Sequence, residues 1–134
     1  TLASIIEKET GRPAITEEQK QSLDNERKII SGIFYNRLNA GIPLQSDATV
    51  NFVTKKNLAS ASLADTETDS PYNTYKHKGL PPGPICNPSL SSIMAALYPE
   101  KTNYLYFLHS QITGQVYYSN TFEEHVANKF KYLK

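Results

Sequence analysis

Cysteine is nearly absent from this chain of 134 residues. The one thiol, Cys86, has no partner for an internal disulfide, so a packed core must hold the fold. An excess of one charge is also missing. Fourteen basic and thirteen acidic residues leave a formal charge of +1, and without a basic run the chain offers no electrostatic surface for nucleic acid or an anionic membrane. No apolar stretch approaches the roughly 18 residues of a membrane span, and no signal peptide opens the chain. The three histidines, His77, His109 and His125, lie too far apart in sequence for a local metal motif. They read as surface side chains, and neither a metal nor another cofactor is expected. Thr1 enters a helical pattern without a start methionine or an approach segment. Residues 1–134 are therefore expected to be one domain cut from a longer protein, and the missing leader says nothing about where that parent resides.

What is present begins with the first nine residues. On a helix of about 100° per residue, Leu2, Ile5 and Ile6 form one stripe with Glu9 near its centre, while Glu7 points the opposite way. Glu7 is then expected in water and Glu9 against the core or a cleft wall, where burial raises a carboxyl pKa. A carboxylic acid that stays protonated near neutrality suits general acid chemistry, glycoside cleavage above all. The pattern is equally compatible with Glu9 reaching solvent as the helix ends at Gly11 and Pro13.

Gly11 to Asn25 reads as a polar surface connection with a short helix start at Thr16. Asp24 to Ala40 is the strongest helix, with Ile29, Ile30, Ile33, Phe34 and Leu38 apolar and Gly41 and Pro43 as its stop. Glu26 and Arg37 project from that apolar face, either paired and buried, with Glu26 the nearest acid in mind, or with the Arg37 head in water. Ile42 to Pro88 is mostly irregular. Within it Asp47 is placed to cap a helix at 48–53 and Ser62 a turn at 63–65, and the proline-rich and aromatic stretch at 70–84 reads as a binding loop or a structural Ω-loop. A helix from Asn87-Pro88 to Leu97 carries Leu90, Ile93, Met94 and Leu97. Runs at 104–108 and 115–118 form a hairpin around Thr113-Gly114, and Asn120 or Thr121 caps a last helix through Leu133. The element order implies a single helix-rich α+β domain of three or four helices, with a small antiparallel sheet near its C-terminus.

The run Leu2-Ala3-Ser4-Ile5-Ile6-Glu7-Lys8-Glu9-Thr10 resembles the catalytic motif of the endolytic murein transglycosylases, the MltG or YceG-like family. The resemblance continues in order through Phe34-Tyr35-Asn36-Arg37-Leu38, Leu44 to Val50, Tyr72-Asn73-Thr74-Tyr75, Gly79 to Ile85 and Tyr104-Leu105-Tyr106-Phe107. It covers nearly the whole chain, without the family's membrane anchor and LysM-like part. The sequence departs from the family in a longer connection between Thr10 and Glu26, in Ala48 where proline is common, and in Cys86 where serine or alanine is usual.

The resemblance implies a groove-forming domain, lysozyme-like in its active-site logic, that cuts peptidoglycan strands between N-acetylmuramic acid and N-acetylglucosamine and leaves 1,6-anhydro ends. It makes Glu9 the single acid and base, in agreement with the helical wheel. It implies glycan contacts at Gln45, Asp47, Tyr72, Asn73, Tyr75, Leu80, Pro81 and Gly83. Asp47 remains either a helix cap or the second carboxylate that a lysozyme-type hydrolase would use for water. A silent glycan-binding module is the third reading. The implied parent is anchored at the outer face of the bacterial cytoplasmic membrane, with cell-wall synthases as partners.

Overall fold

A computed structural model describes residues 1–57 and 60–133. Among these, five α-helices and one two-stranded antiparallel sheet make an α+β domain. No helix of the described residues is long and apolar enough to cross a membrane.

α1 (Leu2–Glu9) has eight residues, too few to be stable alone in water. Its apolar stripe makes it the centre of the core. Leu2, Ile5 and Ile6 pack with Ile30, Phe34, Leu44, Ile85 and Ala95, and full burial of each isoleucine is worth about 1.5–3 kcal/mol. The buried Ser4 hydroxyl donates to the Thr1 carbonyl at 2.6 Å and accepts from the Ile85 amide at 3.0 Å, which fastens the end of the proline-rich loop to α1.

Glu7 is not in water. One carboxylate oxygen accepts from Nη2 of the buried Arg27 at 2.9 Å, and the other accepts from the Ser89 amide at 2.7 Å and the Ser92 hydroxyl at 3.1 Å. The wheel correctly set Glu7 opposite the isoleucines, but that side of α1 is covered by α2 (Glu17–Ala40) and α4 (Leu90–Leu97). Burial pushes its carboxyl upward, yet the Ser89 bonds, the Arg27 charge and the Ser92 hydroxyl outweigh it and hold the group below the ordinary value of 4.5.

α2 is longer than its apolar pattern suggests. The Thr16 hydroxyl accepts from the Gln19 amide and the Gln19 side chain accepts from the Thr16 amide, so a capping box starts the helix at Glu17 and the expected surface connection is mostly helix. Gly41, at φ 68°, closes it in the left-handed region. At Gly32 a β-carbon would lie 2.0 Å from the Glu100 carbonyl oxygen, because the Glu100 amide donates to the Lys28 carbonyl at 3.0 Å and brings that backbone onto α2.

α3 (Asp47–Thr54) and a 3-10 turn at Asp65–Glu67 punctuate the long irregular region, and the Asp65 amide does donate to Ser62. α4 turns the face opposite to its bulky stripe into the core. Ser92 and Ala95 are buried, whereas Leu90 and Leu97 are 72% and 63% exposed. Small side chains let α4 approach α1 and α2 closely, and only a small hydroxyl at position 92 reaches Glu7. β1 (Tyr106–His109) pairs with β2 (Val116–Ser119), Tyr106 opposite Ser119 and His109 opposite Val116. α5 (Phe122–Tyr132), capped by Thr121, lies on this sheet with Tyr132 stacked on Tyr117 at 3.6 Å.

Two consequences are measurable by urea denaturation. Gly32→Ala should lose about 1–3 kcal/mol through overpacking, although alanine is the better helix former by about 1 kcal/mol. Glu7→Gln should lose about 1–3 kcal/mol because Arg27 is left without its counter-charge. The folded Glu7 carboxyl titrates below its unfolded value, so its contribution is complete above the unfolded carboxylate range and disappears as pH falls through the folded value. The stability gap between wild type and Glu7→Gln should therefore close in acid.

Candidate active site

Glu9 is the last residue of α1, and its side chain meets the start of α3. The Ser46 hydroxyl donates to Glu9 Oε1 at 2.6 Å. Ser46 is the N-cap of α3 yet makes no side-chain bond to that helix. Its hydroxyl is turned to Glu9 instead, and the Ala48 amide also bonds the Glu9 carboxyl. Glu9 thus sits at the positive end of α3. Protein atoms crowd it although part of its surface opens to the groove. Loss of water pushes its pKa above the ordinary value, opposed by the Ser46 bond and the nearby His109, reinforced by the negative Asp47, and opposed again by the Ala48 amide. The balance is upward. Glu7 and Glu9, two residues apart, are shifted in opposite directions.

The start of α3 is held from behind. Gln45 takes a left-handed φ of 51°, a conformation that costs a side-chain-bearing residue on the order of 1–3 kcal/mol. The loop at 70–84 stabilises it. Thr74 accepts the Gln45 amide at its carbonyl, accepts the Ser46 amide at its hydroxyl at 2.9 Å, and bonds the Thr49 hydroxyl at 2.8 Å. Tyr75 donates its phenol to Asp47 Oδ1 at 2.5 Å. Burial and the carboxylates of Asp47 and Glu9 push the Tyr75 pKa far up, so it stays a donor. Asp47 is the first residue of α3 and not its cap.

Two cavities meet at Glu9. One, of about 830 Å³, is lined by Glu9, Asp47, Asn51, Phe52, Ile85 and His109 together with the basic Lys8, Arg12, Lys55 and Lys56. The other, of about 530 Å³, is lined by Glu9, Gln45, Asp47 and Tyr75 and by Arg37, Tyr106, His125 and Lys129. Glu9, Asp47, His109 and Gln111 belong to both, so the carboxyl lies where two halves of one groove join.

Of the residues expected to contact glycan, Gln45, Asp47 and Tyr75 line the groove, while Tyr72, Asn73, Leu80, Pro81 and Gly83 line neither cavity. Asn73 is fully buried. Its amide donates to the Thr66 and Thr68 carbonyls and its oxygen accepts the Tyr75 amide, which leaves nothing for an acetamido group. Tyr72 packs on Phe52 at 5.0 Å and is a support for the wall. Pro81 is buried, and Gly83 lies under the Tyr72 hydroxyl. Of the two readings of Arg37 the buried one holds, but it bonds the Leu105 and Pro43 carbonyls, and Glu26 pairs with Arg12 at 2.5 Å.

A family model described as the YceG-like family matches residues 1–131. The chain belongs to the YceG-like family. A Bacillus subtilis (strain 168) protein named endolytic murein transglycosylase is 44% identical over 133 residues, 99% of this chain and 34% of the relative. A Streptococcus pneumoniae (strain D39) protein of the same name is 42% identical over 133 residues, 96% of this chain and 22% of the relative. A crystal structure of a yceG-like protein from Listeria monocytogenes aligns with a TM-score of 0.81 at 50% identity, over 95% of this chain and 38% of that one. The chain therefore spans about a third or less of the length of these curated relatives.

In this YceG-like domain the groove residues missed from sequence include Ser46, Phe52, His109 and Gln111, and Arg37, Tyr106, His125 and Lys129 in the smaller half. Ser46 has a signal in hindsight, an N-cap hydroxyl followed by an acidic residue. His109 and Gln111 sit at the end of β1 and just beyond it, and no local pattern sets them apart. Ser46→Ala should raise the Glu9 pKa further, because the lost hydroxyl bonds the charged carboxylate. Titration of the Glu9 carboxyl carbon by NMR reads this shift, and a downward movement would contradict the geometry.

Proposed function

We propose that this domain is a lytic transglycosylase that cuts peptidoglycan strands between N-acetylmuramic acid and N-acetylglucosamine and leaves 1,6-anhydromuramic ends. The observation that carries the reading is the Glu9 carboxyl with its raised pKa, held by Ser46 where two halves of a groove meet. The names of the relatives support the substrate class. The parent is proposed to work at the outer face of the bacterial cytoplasmic membrane alongside cell-wall synthases.

Protonated Glu9 gives its proton to the oxygen leaving C1 of the muramic ring as the glycosidic bond breaks. The 6-hydroxyl of the same ring then bonds to C1, and the Glu9 carboxylate takes the hydroxyl proton, restoring the acid. Water is not consumed. Because the attacking hydroxyl is tethered to the reacting ring, correct geometry can be worth about 7–11 kcal/mol. Ser46 and the Ala48 amide steady the carboxylate between the two transfers. Asp47, occupied by the Tyr75 phenol, orients the wall beside Glu9.

Asp47 also lines the groove beside Glu9, which gives a hydrolytic second reading a definite base. Digestion of purified sacculi in heavy-oxygen water separates the two. Anhydro ends without label are expected, and labelled reducing ends would replace this reading with hydrolysis. Glu9→Gln should reduce cleavage by at least about 100-fold. The same variant should melt higher than wild type near neutrality. A carboxyl whose folded pKa is raised contributes full stability only below its unfolded value and loses it as pH rises through the folded one, and glutamine is free of that loss. In wild type, kcat/KM should fall as pH rises through the same folded value, since the proton donor is then lost.

A further inference from the structure

We propose that the smaller half of the groove is a carboxylate site, with Arg37 and Lys129 selecting glycan that carries peptide stems. The proposal rests on the transglycosylase reading above. Arg37 is only 7% exposed, yet its Nε and Nη1 donate to neutral acceptors, the Leu105 carbonyl at 2.7 Å and the Pro43 carbonyl at 2.6 Å. No carboxylate among the described residues pairs with it, and its guanidinium lies 4.9 Å over the Tyr106 ring. A buried cation is normally matched by an opposite charge. Here the match is left to whatever enters the cavity.

Lys129 repeats the sign. Lys129 and His125 of α5 line the same cavity, with the His125 ring stacked on the other partner of Arg37, Tyr106, at 5.0 Å. Burial and the charges of Lys129 and Arg37 hold the His125 pKa down, as a site that is already cationic requires. The acids of this cavity, Glu9 and Asp47, stand on α1 and α3, where Asp47 is engaged by Tyr75 and Glu9 by Ser46. The glycan backbone has no charge of its own to offer. The peptide stem carried on the lactyl ether of each muramic residue has free carboxylates, and a planar guanidinium is shaped to receive one.

Strands whose stems carry free carboxylates and the same strands with those carboxylates amidated provide the test. Wild type should process the free-carboxylate strands with kcat/KM higher by about tenfold, the worth of one charge-assisted hydrogen bond. Lys129→Glu, at an exposed position of α5, should bring the ratio of the two values towards one. An equal ratio in wild type, or a ratio unmoved by Lys129→Glu, overturns the carboxylate site while leaving transglycosylation standing. If neither substrate is cut, the transglycosylase reading fails, and calorimetry judges the site separately. A muramyl tripeptide with free carboxylates should then bind wild type more tightly than the same molecule with its carboxylates amidated, and Lys129→Glu should erase the difference. Equal binding of the two overturns the site.

Discussion

The clasp between Glu7, Arg27 and the start of α4 sets the rotation of α1, and the groove depends on that rotation. α1 has only two turns and no strength of its own. It is held by isoleucines on one side and by the Glu7 clasp on the other. With both sides occupied, Glu9 at the helix end has one direction left, towards Ser46. The Thr10 hydroxyl adds to the clasp by accepting from Arg27 Nε at 2.9 Å. Arg27 is thus shared by the two residues that flank Lys8 and Glu9, and one guanidinium fixes the end of the helix.

Environment, not residue type, separates the two glutamates. Glu7 receives a cation and two hydrogen bonds from Ser89 and Ser92, and its charge stabilises the fold. Glu9 is crowded next to Asp47, and its charge is disfavoured in the folded state. Strain lies on the same wall, in the left-handed Gln45 that turns the chain into α3. The loop at 70–84 answers both. Through Asn73, Thr74 and Tyr75 it braces the start of α3, with Asn73 buried behind the wall and Tyr75 also lining the groove. The smaller half of the groove carries both signs, with acids from α1 and α3 and cations from α2 and α5.

Elements built from near neighbours were legible. Leu2, Ile5 and Ile6 mark the stripe of α1 because helical spacing places them together, and the same spacing sets Glu9 among them. The hairpin announces itself through aromatic and β-branched runs around Thr113-Gly114. Thr16 was visible as a short helix start, yet the polar stretch after it hid its capping box with Gln19 and how far α2 extends. α4 misleads because periodicity identifies the bulky face, whereas close packing against α1 and α2 selects the small one, Ser92 and Ala95. Asn73 illustrates a different ambiguity: an amide that can bond an acetamido group can equally bond two backbone carbonyls, and composition is the same in both cases.

Local sequence patterns placed the stripe of α1, the hairpin and the opposition of Glu7 to Glu9, since each depends on residues within about one helical turn or one strand repeat. The ionisation of those carboxyls depends on groups that are near only after folding. Ser89 stands 82 residues from Glu7, and Ser46 stands 37 residues from Glu9. Hydrogen bonds, charge and exclusion of water act over a few ångströms in space and take no account of distance along the chain. Tertiary packing therefore decided that Glu7 is a structural anion, that Glu9 faces a groove with its pKa raised, and that Arg37, His125 and Lys129 line the same cavity as Glu9.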